Sequence, residues 1–301
     1  MNSAAPQTEV PMTSFRGIDT WDDVAILSAF ADGQQRALDA VRQALPAISS
    51  AASLIVAKLS AGGRLIYAGA GTSIRIGVQD GAELPATFGM TEDQIAYCIA
   101  GGPNAMFDAM AGAEDDAPAA RADVDRTQCG RADALIAIAA SGTTPYTVAA
   151  ARHARERGAA TIAVVNNAGS PLGQACAHEI LLASGPEAIA GSTRMGAGTA
   201  QKATLNFLSS LVNIRLGAVH DGLMVNLQAG NAKLKGRARS IVCGISGAHA
   251  DQAAAALDAC DGHVKPAVLL CSGVTTYDDA SRRLIAAKGN LRVALERLRA
   301  A

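Results

Sequence analysis

The stretch YAGAGTSIRIG, residues 67–77, follows a short apolar run and places Gly69, Gly71, Thr72 and Ser73 just ahead of Arg75. Hydroxyls and free backbone N–H groups at the start of a helix make an anion site, aided by the helix dipole. Two nucleotide readings fail on residue identity. A dinucleotide fingerprint needs a third glycine where Ile74 stands, and an acidic residue closing the next strand, whereas the next apolar run, IAYCIAG, has none. A nucleotide P-loop needs Gly-Lys before a Ser or Thr, and no such sequence follows. The hydroxyl-rich pattern returns in SGTTPY, where Ser141, Gly142, Thr143 and Thr144 precede Pro145, a residue suited to a helix's first turn. Either turn alone reads equally well as an ordinary helix cap, where Ser and Thr are favoured. Two such turns at the carboxyl edge of one parallel sheet favour a single phosphate monoester, held by Gly71, Thr72, Ser73, Ser141, Gly142, Thr143 and Thr144.

For both turns to converge, strands must alternate with helices. Runs at 64–70, 95–101, 134–140, 161–166 and 179–184 are apolar on both faces and separated by helical stretches. That is the pattern of a parallel sheet covered on both sides, a doubly wound α/β fold. Helices are predicted at 75–83, 104–112, 145–157 and from about 198 to 217, the last long and apolar enough to be core or a homodimer interface. Ahead of the sheet, apolar residues from Trp21 to Ser60 recur at helical spacing, with breaks near ADGQ and at Pro46, giving two or three helices. Residues 1–20, polar and containing Pro6 and Pro11, are expected to form an arm or mobile tail. From NAKLKGRARSIV onward the pattern is helical and charged, interrupted only by HVKPAVLLCSG. The expected organisation is an arm over 1–20, a sheet domain with leading helices over 21–240, and a small helical domain over 241–301.

Composition narrows the function classes further. With 26 basic and 27 acidic residues and only 3% aromatics, neither a global field nor an aromatic platform points to nucleic acid. Cys98, Cys129, Cys176, Cys243, Cys260 and Cys271 form no CxxC pair, and His153, His178, His220, His249 and His263 lack ligand spacing, so no metal or other cofactor is expected. The first residues lack a basic segment followed by an apolar core, and no apolar run approaches the roughly 20 residues that span a bilayer. A cytoplasmic, reduced protein without membrane partners is expected.

Longer motifs add a resemblance. GAGTSIRIGVQDGAELPATFG, IAGG, GAED, ASGTTPY, GPEAIAGSTRMGAGTAQK, LMV and NAKLKGRARSIV resemble, in order, those of the N-acetylmuramic acid 6-phosphate etherases, which contain a sugar isomerase (SIS) domain. The resemblance is strong over about residues 50–243 and looser in the C-terminal helical segment. It implies a flavodoxin-like three-layer sandwich and a lyase that removes the lactyl ether of the sugar phosphate. Glucokinase regulatory proteins, which bind sugar phosphates without turning them over, are related.

Such a cleavage needs a base for C2 of the open-chain sugar and an acid for the departing lactate oxygen, each typically worth about 10² to 10⁴ in rate. The resemblance implies Glu83 as that acid and Glu114 as that base. Glu83 is flanked by Leu84, Pro85 and Phe88, surroundings expected to raise its pKa. Without the motifs, a surface glutamate and a solvated acidic cluster with Asp115 and Asp116 would be the plainer readings. Glu187 and Ser192, with Thr193 and Arg194, are expected near the sugar or its phosphate, and Lys233 is expected to approach a partner subunit's active site. Three departures bear on the substrate: Ile74 in place of a glycine, Thr143 in place of an arginine and Gly196 in place of a lysine. An acidic pair before the first long helix is also missing. A non-catalytic sugar-phosphate regulator and an SIS-type isomerase are the competing readings.

Overall fold

The computed structural model describes residues 6–108, 110–227 and 232–300. The chain divides into two compact units, Met1–Gly81 with Asp93–Ser209, and Ala82–Glu92 with Ser210–Ala301.

The first unit opens with three single 3-10 turns and then helix α1, Asp23–Gln43, whose N-terminal donors are met by Asp22, which accepts from Ala25 N–H at 3.0 Å. The break expected at ADGQ does not occur. One glycine costs a helix only about 1 kcal/mol, and Ala29, Ala37, Ala40 and Val41 bury a continuous face across it. Helix α2, Leu45–Ser60, begins with Pro46 in its first turn, where the missing N–H would have had no helical partner.

Then come β1 (Leu65–Gly69), α3 (Gly71–Phe88), β2 (Ile95–Ile99), α4 (Ala117–Arg126), β3 (Ala134–Ala139), α5 (Pro145–Glu156), β4 (Ala160–Val165), α6 (Pro171–Ala175), β5 (His178–Leu181) and α7 (Gly196–Arg215). All five predicted strands form, and they pair in parallel in the order β2-β1-β3-β4-β5. Strand side chains alternate between faces. Ile66, Ala68, Leu135, Ala137, Ala163 and Val165 face one layer and pack with Ala120 and Val124 of α4, Tyr146 and Ala150 of α5, and Leu172 of α6. The opposite face carries Tyr67 and Ile138, on which α3 lies. It does so closely because Gly77 and Gly81 face the sheet: a Cβ on Gly81 would meet the Tyr97 hydroxyl at 2.5 Å. Helices on both faces of a parallel sheet make the expected three-layer, doubly wound fold.

One helix prediction is corrected and one helix was not foreseen. The described residues within 104–112 form no α-helix; 3-10 turns at Pro103–Met106 and Ala113–Asp115 stand there. Helix α4 follows instead, with only Ala120 and Val124 buried, too narrow a stripe for a periodicity argument. Its start was nevertheless written in the chain: Asp116 accepts from Ala119 N–H at 2.8 Å, and Pro118 sits in the first turn. The arm is likewise docked rather than mobile over its described part. Thr8 is fully buried, Gln7 N–H donates to Asn167 Oδ1 at 2.7 Å, and Gly191 N–H donates to the Thr8 carbonyl at 2.9 Å.

In the second unit a short antiparallel pair, β6 (Val219–His220) and β7 (Leu223–Met224), precedes five helices. These are α8 (Ala232–Ser246), α9 (Ala250–Asp258), α10 (Val264–Cys271), α11 (Tyr277–Ala286) and α12 (Leu291–Arg299). The HVKPAVLLCSG stretch, read as an interruption, is α10, and Val264, Ala267, Val268 and Leu269 lie at the centre of this unit's core. Its apolar residues cover every face because it is wrapped by its neighbours, so it shows no amphipathic period.

An ion pair ties β1 to the loop before β3. The nearly buried Asp133 accepts from Arg64 N–H, Nε and Nη2 at 3.0, 3.2 and 2.9 Å, and from Gly130 N–H at 3.0 Å. Burial pushes its carboxyl up, but Arg64 and the two backbone donors outweigh this and hold it below the usual carboxylate value. A depressed folded pKa stabilises the fold above the unfolded value, near 4, and that contribution disappears as pH falls through the folded value. Asp133→Asn is therefore expected to cost roughly 1–3 kcal/mol at neutral pH and to flatten the decline of stability below about pH 4, read by urea denaturation across a pH series.

Candidate functional site

In the strand order β2-β1-β3-β4-β5 the connection direction reverses between β1 and β3. Helix α3 leaves β1 toward one face and α5 leaves β3 toward the other, opening a crevice at the strands' carboxyl ends where such folds bind ligands. The two hydroxyl turns are the lips of that crevice, because Gly69 pairs with Ile138 in adjacent strands.

On one side, Gly71 takes a positive φ of 55° and starts α3, Thr72 is half-buried and Ser73 nearly buried. No hydrogen bond joins the Thr72 or Ser73 hydroxyl to another described residue. On the other side, Thr144 is the N-cap residue of α5 yet its side chain makes no capping bond. Ser141 Oγ accepts from Thr143 N–H at 3.2 Å and from Thr143 Oγ1 at 3.0 Å. Its own hydrogen is left to donate outward. Gly142 is needed at φ 69°, and a Cβ there would strike Ser170 Cβ and Oγ at 2.4 Å. Among the described residues neither turn makes the side-chain bond of an ordinary N-cap to the helix that follows it.

The departure at Ile74 is absorbed by the core. Its side chain is fully buried behind the loop, on the opposite side of α3 from solvent.

Of the other expected residues, Glu114 is exposed in the Ala113–Asp115 turn of the first unit. Glu83 belongs to the second unit and is also exposed. The apolar enclosure expected around Glu83 is absent: Leu84 turns inward and is buried, while Glu83, about 100° away on the helix, faces out. Glu187 is only 5% exposed, and its oxygens accept from Gly196 N–H at 3.0 Å and Ala197 N–H at 2.8 Å. Its carboxylate caps α7, whose N-terminal donors need an anion. Gly196 fits that role, since a Cβ there would lie 3.1 Å from Glu187 Oε2. Ser192 is half-buried in a turn where its N–H donates to the Ile189 carbonyl at 2.9 Å, Arg194 is exposed, and Lys233 is exposed in the first turn of α8.

Sequence reasoning missed the residues behind the crevice. Asn166 and Asn167 close β4: Asn167 Nδ2 donates to the Ala140 carbonyl at 2.8 Å, and Asn166 Nδ2 donates to Ser184 Oγ at 3.1 Å. The paired asparagines right after an apolar strand were the available signal. Asp80, buried in α3, accepts from the Tyr67 hydroxyl and Asn206 Nδ2, both at 2.8 Å, and from Ser209 Oγ at 3.0 Å. Burial, reinforced by the Asp80 charge, keeps the Tyr67 phenol protonated far above its ordinary range. Among the described residues no group of three or more His, Cys, Asp or Glu is placed to hold a metal ion.

Two strand-to-helix turns rich in Ser and Thr, at the carboxyl edge of a parallel sheet of order β2-β1-β3-β4-β5, are the features of an SIS domain. Residues 47–154 match the glucokinase regulatory protein N-terminal SIS domain family, and residues 115–210 match the SIS domain family. A relative from Deinococcus radiodurans named N-acetylmuramic acid 6-phosphate etherase is 45% identical over 96% of this chain and 95% of its own length. One of the same name from Serratia proteamaculans is 42% identical over 99% of this chain and all of its own length. The chain belongs to the N-acetylmuramic acid 6-phosphate etherase family. A solved phosphoheptose isomerase from Francisella tularensis aligns with a TM-score of 0.48 at 19% identity, covering 67% of this chain and 100% of that one.

The uncapped Thr144 separates a ligand role from a structural one. A true N-cap would lose about 0.5–2 kcal/mol on losing its hydroxyl. Thr144→Val is expected to leave thermal stability within about 0.5 kcal/mol of the parent while weakening hexose 6-phosphate binding roughly fivefold to tenfold, measured by calorimetry.

Proposed function

We infer that this chain cleaves the lactyl ether of N-acetylmuramic acid 6-phosphate, giving N-acetylglucosamine 6-phosphate and D-lactate. The observation that carries the reading is near full-length identity of 45% to a relative of that name, in a chain that keeps both glutamates and both hydroxyl turns. The crevice turns hold the 6-phosphate through Thr72, Ser73, Ser141, Thr143 and Thr144, with the N-termini of α3 and α5 opposing its charge.

With the phosphate held, the open-chain sugar offers an acidic hydrogen at C2, beside its aldehyde. Glu114 takes that proton. The electron pair forms the C2–C3 double bond as the C3–O bond breaks, and Glu83 protonates the departing lactate oxygen. Water then adds at C3 and a proton returns to C2. Both glutamates are exposed in the single chain, so the tuning that an acid and a base require arises on substrate binding or in an assembled pair, where water is displaced.

The chain works as a cytoplasmic homodimer in this reading. Helix α7 exposes Phe207 and Ile214, seven residues apart on one face, and exposed Lys233 is the residue offered to the partner's site. No single helix among the described residues is long and apolar enough to cross a membrane.

Incubation with N-acetylmuramic acid 6-phosphate in D₂O is expected to release D-lactate and place deuterium at C2. Glu83→Gln and Glu114→Gln each lower lactate release about 10² to 10⁴-fold with sugar-phosphate binding retained. Saturable binding by the parent without lactate would favour a regulator, and a ketose product would favour an isomerase.

A further inference from the structure

The described residues from β2 to Glu114 form no α-helix, but turns at Pro103–Met106 and Ala113–Asp115. The segment's approach to solvent is marked by Phe107, which is 90% exposed. Glu114 is held from its C-terminal side, where its turn packs on α5 and leads into α4; from its N-terminal side two attachments hold the segment. Near its end the segment folds back on its start: a Cβ on Gly101 would meet Met110 Cβ and Cγ at 2.8 Å and Ala113 Cβ at 3.2 Å. In its middle it is gripped by Arg75. The guanidinium donates to the Ala105 carbonyl from Nε at 3.0 Å and from Nη2 at 2.9 Å, and Nη2 also donates to the Asp108 carbonyl at 3.2 Å.

Arg75 stands two residues after Ser73, in the turn of α3 that opens the crevice. An arginine beside an anion cradle would ordinarily be read as a phosphate ligand. Here its fork is turned away onto backbone carbonyls 30 and 33 residues further along the chain. Its rigid planar geometry suits that task, since two donors converge on one acceptor while a third reaches the next turn.

We propose that Arg75 is a positioning residue that fixes Glu114 with respect to the Thr72 and Ser73 cradle. It does so by pinning the intervening loop to the first turns of α3. Substrate phosphate and the base are then referred to one rigid helix, and C2 meets the carboxylate in register. The proposal rests on the reading of Glu114 as the base. A misplacement of about 1 Å can cost roughly 10²-fold in rate, so the grip matters for turnover rather than for binding.

The test compares the full-length parent with Arg75→Ala and Arg75→Lys. Arg75→Ala is expected to lower kcat about 10- to 100-fold, with C2 deuterium exchange falling in parallel and KM changed less than about threefold. Arg75→Lys recovers part of the rate through one carbonyl contact, and added guanidinium ion partly rescues Arg75→Ala. Amide hydrogen exchange over residues 103–114 speeds up in Arg75→Ala while the strands stay protected. A rise in KM alone would make Arg75 a phosphate ligand and overturn the proposal. So would unchanged loop exchange with kcat within twofold, or a loss of melting temperature that accounts for all the lost activity. Should the parent itself release no lactate, the etherase reading fails, and the loop's hydrogen exchange still decides whether Arg75 holds it.

Discussion

The reversal of connection direction between β1 and β3 is the constraint on which the rest of the first unit depends. Two neighbouring parallel strands send their following helices to opposite faces, so no chain crosses the space beyond their carboxyl ends. Everything near that space serves to keep it open and lined. Gly77 and Gly81 draw α3 down onto Tyr67 and Tyr97. Gly142 lets the second turn pass against Ser170. Asn167, just after β4, holds the Ala140 carbonyl just after β3 and the docked arm.

Two buried carboxylates support this arrangement, neither in an ion pair with another described residue. Asp80 is met by three neutral donors from β1 and α7, and Glu187 by the first free N–H groups of α7. A buried charge is tolerable when hydrogen bonds and a helix dipole replace its lost hydration. Both therefore act on α7, one at its first turn and one further along, and together they set the axis and depth of the longest apolar helix. Removing either acceptor would strand its donors, which costs more than a single exposed hydrogen bond would suggest.

Much of this was legible in the chain, and the limits have physical reasons. All five strands were readable because buried parallel strands are apolar on both faces, a local property. The two hydroxyl-bearing turns stood out because Gly, Ser and Thr recur together at two strand-to-helix junctions of one sheet, although either alone reads equally as a helix cap. Helix α4 was missed because its buried stripe is two residues wide, and α10 because it is apolar all round. The roles of Glu187 and Arg75 were not readable at all. Each depends on a contact with backbone groups, which carry no residue identity, at separations of 9 and 30 residues. The docking of the arm on Asn167 lies 160 residues away and leaves no trace in a polar, proline-containing stretch. Glu83 shows the converse error, since apolar sequence neighbours on a helix are not spatial neighbours.

The two turns contain no cation: Thr143 stands where an arginine is usual, and Arg75 is engaged elsewhere. A dianion bound there, as proposed, would be held by hydroxyls, backbone N–H groups and helix termini, which act as dipoles at short range. Dipolar attraction fades more steeply with distance than attraction between net charges, and it responds less to dissolved ions. Such a cradle would read the shape of a phosphate once it has arrived and exert little pull on one that is still approaching. The same property favours departure, because the leaving product breaks no ion pair on its way out.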